Sequence, residues 1–139
     1  EVLNTGTAAV DMQGWTVRDE GSNAFTIQDS VVLAAGRFAI LARSQTAAGG
    51  SAAYVYGSAM SLANSADQII IERDGELVDA VAYDASFPLA AGASMELAAS
   101  ATDVAANDSP ANWCEAQSQM ADGDRGSPGA AGPGCAGIQ

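Results

Sequence analysis

The feature that most constrains this chain is a punctuated alternation. Large apolar residues recur at every second position in short runs, and Gly, Asn or Asp closes each run within a few residues. Successive side chains of a strand point to opposite faces, so a period of two marks strands buried on one side. The clearest case surrounds Asp74-Gly75, where 68–73 and 76–83 form two arms. Asp-Gly suits a two-residue hairpin turn because both central residues must take positive φ. In the second arm Leu77, Asp79, Val81 and Tyr83 share one face, and Val78, Ala80 and Ala82 share the other.

The same grammar runs through the rest of the chain. A stub at 1–4 is closed by Asn4-Thr5-Gly6. Trp15 and Val17 then face one way, Thr16 and Arg18 the other. After a turn at 19–23, the run 24–28 places Phe25 and Ile27 inward, and 31–33 is brief. The most apolar strand is 37–43, with Phe38, Ile40 and Leu41 between two arginines. The Gly/Ala/Ser-rich stretch 44–53 reads as a mobile loop, 54–56 as a short edge strand and 93–97 as a last compact strand. A looser return holds Trp113 and Cys114. No helix longer than a turn is demanded, 98–106 being the one ambiguous stretch. Seven or eight short strands with frequent turns imply an all-β, two-sheet sandwich.

At 139 residues the chain has the length of one domain, 1–139. Apolar residues make up 48%, but many are alanine and aromatics are only 6%. The core must therefore rest on a few large side chains: Trp15, Phe25, Phe38, Ile40, Ile69, Ile71, Val81 and Tyr83. From 122 to 139 the composition shifts to Gly, Pro and Ala, which cannot form regular structure alone and should lie extended over the sandwich. Cys114 and Cys135 are the only cysteines. An even pair in a lysine-free, acidic chain suggests one disulfide and an oxidising, extracellular compartment. Such a bridge would close a loop of about 20 residues and contribute roughly 3 kcal/mol. The chain starts at Glu1 rather than Met, which we read as a processed or excised piece of a longer protein.

Seventeen acidic residues against five arginines give a formal net charge of −12. Nucleic-acid affinity comes largely from cations neutralising phosphates, so DNA and RNA are excluded as partners, and anionic membranes are disfavoured for the same reason. No apolar run is long enough to span a membrane.

Placed in order, these segments resemble the lamin-tail domain family over almost the full chain. Glu1-Val-Leu-Asn-Thr-Gly6 is similar to its opening "E-hydrophobic-x-N-x-G", and Val10-Asp-Met-Gln-Gly-Trp-Thr-Val-Arg-Asp19 to "D-L-x-G-W-x-L-x-D", the most specific piece. The stretch from Val32 to Phe38 resembles "L-x-P-G" and a strand, with Ala35 where proline is usual. Leu62 to Ile69 resembles "L-x-N-x-G-D-x-I", with Ala66 replacing glycine. Asp74-Gly75 through Tyr83 is similar to "D-G-x-x-V-D-x-V-x-Y". Gly92-Ala-Ser-Met-Glu96 and Gly126-Ser-Pro-Gly129 resemble the closing "G-x-S-x-E" and "G-T-P-G".

The resemblance implies an immunoglobulin-like sandwich and a non-catalytic role, and it points to the family's bacterial secreted type, accessory modules of secreted or surface proteins. The chromatin contacts of the nuclear members should not carry over to so acidic a surface. The family usually has a strand ahead of the "E-hydrophobic-x-N" piece, and this chain begins inside that piece. An open sheet edge there would be a site for strand exchange or homo-oligomer formation.

Residue chemistry adds little to that. With no histidine, Ser–His–Asp and Cys–His catalysis are excluded, and a zinc site with them. Ser94 lacks an activating base and the nucleophile-elbow glycine pattern. Calcium is the one cofactor the carboxylates leave open, with Asp122, Asp124, Asp19 and Glu20 as first suspects. None of these stretches supplies the five or more oxygens and late bidentate carboxylate of a full loop. Trp15 reads as a core anchor rather than a sugar platform, and Trp113 as packed beneath the disulfide. Asn107-Asp-Ser109 matches a glycosylation sequon, but Pro110 follows it. The expectation is a module acting through protein contacts, with a carbohydrate- or calcium-binding accessory module of an extracellular hydrolase as the alternative.

Overall fold

The computed structural model describes residues 1–47 and 51–135. Within them lie twelve short strands: β1 Val2–Leu3, β2 Val10–Asp11, β3 Thr16–Arg18, β4 Ala24–Thr26, β5 Val32–Leu33, β6 Phe38–Ala39, β7 Leu41–Ala42, β8 Tyr54–Val55, β9 Asp67–Arg73, β10 Glu76–Tyr83, β11 Met95–Leu97 and β12 Trp113–Glu115. The 3₁₀ turns Pro110–Asn112 and Pro133–Cys135 lie in the C-terminal third of the chain. Of the loop expected at 44–53, residues 48–50 lie outside that set, as do residues 136–139 of the tail.

The strand count exceeds the seven or eight expected in part because one run is divided and a further strand, β2, appears. The run 37–43 is split at Ile40, whose carbonyl accepts from the amides of Ala53 and Tyr54. Its first half, β6, therefore pairs with β1 and its second half, β7, runs parallel to β8. β2 escapes the alternation entirely. It is set by Asp11, whose carboxylate accepts from the amides of Gln13 and Val31 and from the Ser30 hydroxyl, and it pairs with β5.

One layer is the antiparallel sheet β10-β9-β3-β4, and the other is built from the two-stranded ladders β1-β6, β2-β5, β7-β8 and β11-β12. Asp74 and Gly75 take φ of 53° and 81°, so the hairpin joining β9 to β10 turns on two left-handed residues, the requirement that Asp-Gly satisfies. Val17 opposes Phe25 across β3 and β4, and Phe25 stacks on Tyr56 and Tyr54 with ring centroids 4.9 and 5.7 Å away. Met12 and Ile27 are fully buried beside them. The result is an immunoglobulin-like β sandwich.

Of the large residues proposed for the core, Trp15, Phe25, Ile40 and Tyr83 are buried, whereas Phe38, Ile69, Ile71 and Val81 are only half-buried. Ile70, expected on the outer face, is 6% exposed. It stands between Arg18 and Ala80 in the ladder. Arg18 donates to Glu72 from Nε at 3.0 Å and Nη2 at 2.7 Å, which holds its aliphatic stem along that face. The half-burial of Ile69, Ile71 and Val81 has a different cause, the cavity beneath them.

Candidate functional site

Between the layers runs a cavity of about 810 Å³, within the size range of small-ligand and peptide-side-chain pockets. The rhythm of its lining shows its shape. β9 contributes Ile69 and Ile71, alternate residues of one strand face, and β3 is approached through Trp15 beside it. β10 instead contributes the consecutive residues 78–81, the segment around β11 contributes 94–97, and that around β1 contributes 1–5. Neighbouring residues of a strand face opposite ways, so an unbroken run can border one space only along the strand's edge. The cavity is a slot with an apolar floor, bordered by β10 and by the segments around β1 and β11. Among the described residues β10 ends the four-stranded sheet, and β1 and β11 each form one ladder, with Ser94 next to β11 also donating to the Arg125 carbonyl.

Towards its mouth the slot meets side chains that water already reaches. Val78 is 40% exposed and Val104 61%. Nearby, Asp79 lies on β10 and accepts from the Asn107 amide at 2.7 Å. Burial pushes the Asp79 carboxyl above its usual range, against the opposing pull of that hydrogen bond. The Asn107 backbone carbonyl accepts from Trp113 Nε1 at 2.7 Å. Trp113 packs tilted against Phe87 at 6.1 Å and adjoins Cys114, whose disulfide to Cys135 spans 5.4 Å between Cα atoms. Asn107, the first residue of the sequon, is 8% exposed, so its amide is committed to the interior.

The C-terminal strap borders the slot on another side. Ser127 donates to Glu96 at 2.6 Å, and the Gly129 amide donates to Glu1. Gly132 lies hard against the Glu96 carboxyl. Glu96, Asp79 and Glu1 line the slot with one arginine, Arg43, so its fixed charge is acidic.

The four calcium suspects do not meet. The Asp19 carboxylate is buried and accepts from the Gly21 and Asn23 amides and the Asn23 side chain, which hold its carboxyl below the usual range, while Glu20 is exposed. Asp122 accepts from the Asp124 amide in a separate exposed turn. Among the described residues no three of Cys, His, Asp and Glu gather as a metal-binding group. No helix there is long and apolar enough to cross a membrane. The slot itself escaped sequence reasoning. Its one legible signal was Val78 beside Asp79, an apolar residue on the face expected to meet water.

The two-layer architecture and its slot define an immunoglobulin-like sandwich. The profile of the Lamin Tail Domain family matches residues 1–85, and the chain belongs to that family. The match is to the family as such, without distinguishing its bacterial from its nuclear members. No curated protein and no solved structure matches the chain.

Proposed function

We propose that this domain is a non-catalytic interaction module of a larger secreted or cell-surface protein, and that it acts through protein contacts, including strand exchange at an open edge. The observation that supports this reading is that β10 ends its sheet among the described residues and, with the segments around β1 and β11, borders one acidic slot. Unpaired strand edges offer rows of backbone donors and acceptors that only another polypeptide can satisfy in register. The Cys114–Cys135 disulfide supports an oxidising compartment, and the net charge of −12 weighs against polyanionic partners.

The test is deletion of the domain from the protein that carries it, followed by crosslinking and mass spectrometry of the assemblies that protein forms. The reading expects specific crosslinks to other proteins to disappear; assemblies that persist unchanged would overturn it. A thermal melt with millimolar calcium or EDTA, together with a glycan array, separates it from the accessory-module alternative. A ligand bound only by the native state must raise the melting temperature. A rise with calcium, or glycan hits, would favour that alternative.

A further inference from the structure

We infer that the corner of the slot formed by Asp79, Asn107 and Trp113 binds the ammonium head of a small amphiphilic amine, whose apolar chain lies over Ile71, Val81 and Ile69. This goes beyond the protein-contact reading above and does not rest on it. Every group it uses belongs to β9, to β10 or to residues 107–113.

Asp79 is an anion without a counterion. Its register partner on β9 is Ile71, and Val81, two residues on, opposes Ile69, so the carboxylate shares its strand face with the apolar floor. The Asn107 side chain donates to Oδ2 at 2.7 Å and the Ala80 amide to Oδ1 at 2.9 Å, which fixes both oxygens. Each carboxylate oxygen has two lone pairs, so both keep capacity for a further donor. The ion pairs among the described residues join Arg18 to Glu72, Arg73 to Asp74 and Arg125 to Glu115, and none includes Asp79. Asp108 acts on it with the same sign, and burial raises its carboxyl. A bound cation relieves both costs. An apolar cavity with a few convergent polar groups and a displaced carboxyl is the combination that small-ligand sites share.

The neighbours select the ligand's chemistry. Trp113 donates Nε1 to the Asn107 carbonyl, which fixes a half-buried indole at the border of the slot. Beside a carboxylate, an aromatic ring favours a cation that carries an apolar body, because the ring attracts the first and packs against the second. Two oriented carboxylate oxygens suit a primary ammonium, which has three N–H donors. The chain supplies no such head itself, since all five of its basic residues are arginine. Arg43 borders the slot but is not among the charges that act on Asp79. The place of the apolar chain follows from the strand. Asp79 and Val81 stand about 7 Å apart along β10, so a hydrocarbon leaving the carboxylate runs over Val81 and the isoleucines opposite. Ile69, Ile71 and Val81 are each half-buried, and covering them is favourable.

The experiment titrates the intact, oxidised chain with n-octylammonium chloride below its micelle concentration. Trp15 and Trp113 both line the slot, so tryptophan emission reports occupancy. Octan-1-ol, the neutral isostere, measures the apolar contribution alone. Saturable binding of octylammonium is expected, at least about tenfold tighter than that of octanol. Asp79→Asn keeps an acceptor for Asn107, and it should bring octylammonium down to the level of octanol while leaving octanol unchanged. Asp122→Asn, in an exposed turn outside the lining, should change neither. Octanol binding as tightly as octylammonium would overturn the proposal. So would native affinity for octylammonium in Asp79→Asn, or no saturable change in a chain with the native melting temperature. A lysine side chain is the other source of the same head group. N-acetyl-lysine N-methylamide binding as tightly as octylammonium would overturn the proposal in favour of a partner protein's lysine. The protein-contact reading fails separately, when domain deletion leaves the parent protein's assemblies intact whatever the amine does.

Discussion

Asn107 donates its side-chain amide to Oδ2 of Asp79 across 28 residues of sequence, at 2.7 Å, and so ties the edge strand β10 to the segment that leads into β12. The same asparagine's backbone carbonyl receives Trp113 Nε1 at 2.7 Å, placing the indole over the joint. Asn107 Oδ1 is itself buried without a hydrogen-bond partner among the described residues. The joint is thus held by one charged acceptor in a poorly solvated place.

Replacing that acceptor should stabilise the protein at neutral pH. Burial raises the Asp79 carboxyl above its ordinary 3.8. A raised folded value means that the group's favourable contribution is complete below the unfolded value and is lost as pH rises through the folded one. At pH 7 the ionised carboxylate is therefore a burden. Asp79→Asn keeps an acceptor for Asn107 and should raise the melting temperature by at most a few degrees, the carboxyl being only half-buried and partly screened by solvent. The advantage should shrink as pH approaches 3. A less stable variant at pH 7 would show that the charged hydrogen bond outweighs desolvation.

Asp19 should behave in the opposite sense. The Asn23 side chain first, then the amides of Gly21 and Asn23, hold its carboxyl below 3.8. Its contribution is present above the unfolded value and lost as pH falls through the folded one. Asp19→Asn should melt earlier than the native chain at pH 7, with the gap closing in acid. Thermal melts of both proteins across pH 2.5 to 7 check this, and a gap independent of pH would mean that shape rather than charge holds the turn.

These two carboxylates show how much of the molecule could be read from its residues. Asp19 followed by Glu20, Gly21 and Asn23 announces a turn, and it is one, because Asx-type bonds are local and need no knowledge of the fold. Asp74-Gly75 is legible for the same reason. Trp15, Phe25, Ile40 and Tyr83 are found by alternation, since period two places every other residue on one face. Alternation cannot say how closely two layers approach. Ile69, Ile71 and Val81 point inward as expected yet stay half-buried over the slot. Nor could it find β2, a two-residue bridge made by the hydrogen bonds of Asp11. Asp79 reads as one of the alternating residues of the second hairpin arm; its partner Asn107 is too distant in sequence to suggest itself.

Reducing the Cys114–Cys135 bridge should cost about 3 kcal/mol, the loop-closure entropy for a separation of 21 residues. Urea unfolding with and without reductant measures it, with Cys114→Ser/Cys135→Ser as the clean comparison. Because the pair anchors the strap through the 3₁₀ turn Pro133–Cys135 onto β12, a loss well below 1 kcal/mol would mean that the reduced chain keeps the strap by its other contacts.

Gly132 provides the sharpest test of how that strap lies. A Cβ built there would overlap the Glu96 carboxyl, closer than real Cβ atoms approach a neighbour. Glu96 is itself buried and receives the Ser127 hydroxyl, so its side chain has little room to withdraw. Gly132→Ala should therefore destabilise by about 1 to 3 kcal/mol, the usual cost of forcing an extra methyl into a packed site. Glu96→Ala alone should also destabilise, because Ser127 loses its acceptor. If the clash is real the two losses cannot add: with the carboxyl gone, the new methyl meets no obstacle. The double variant should be close in stability to Glu96→Ala alone, a coupling of about 1 kcal/mol or more in a double-mutant cycle read by urea unfolding. Simple additivity would place the strap elsewhere, and with it one wall of the slot.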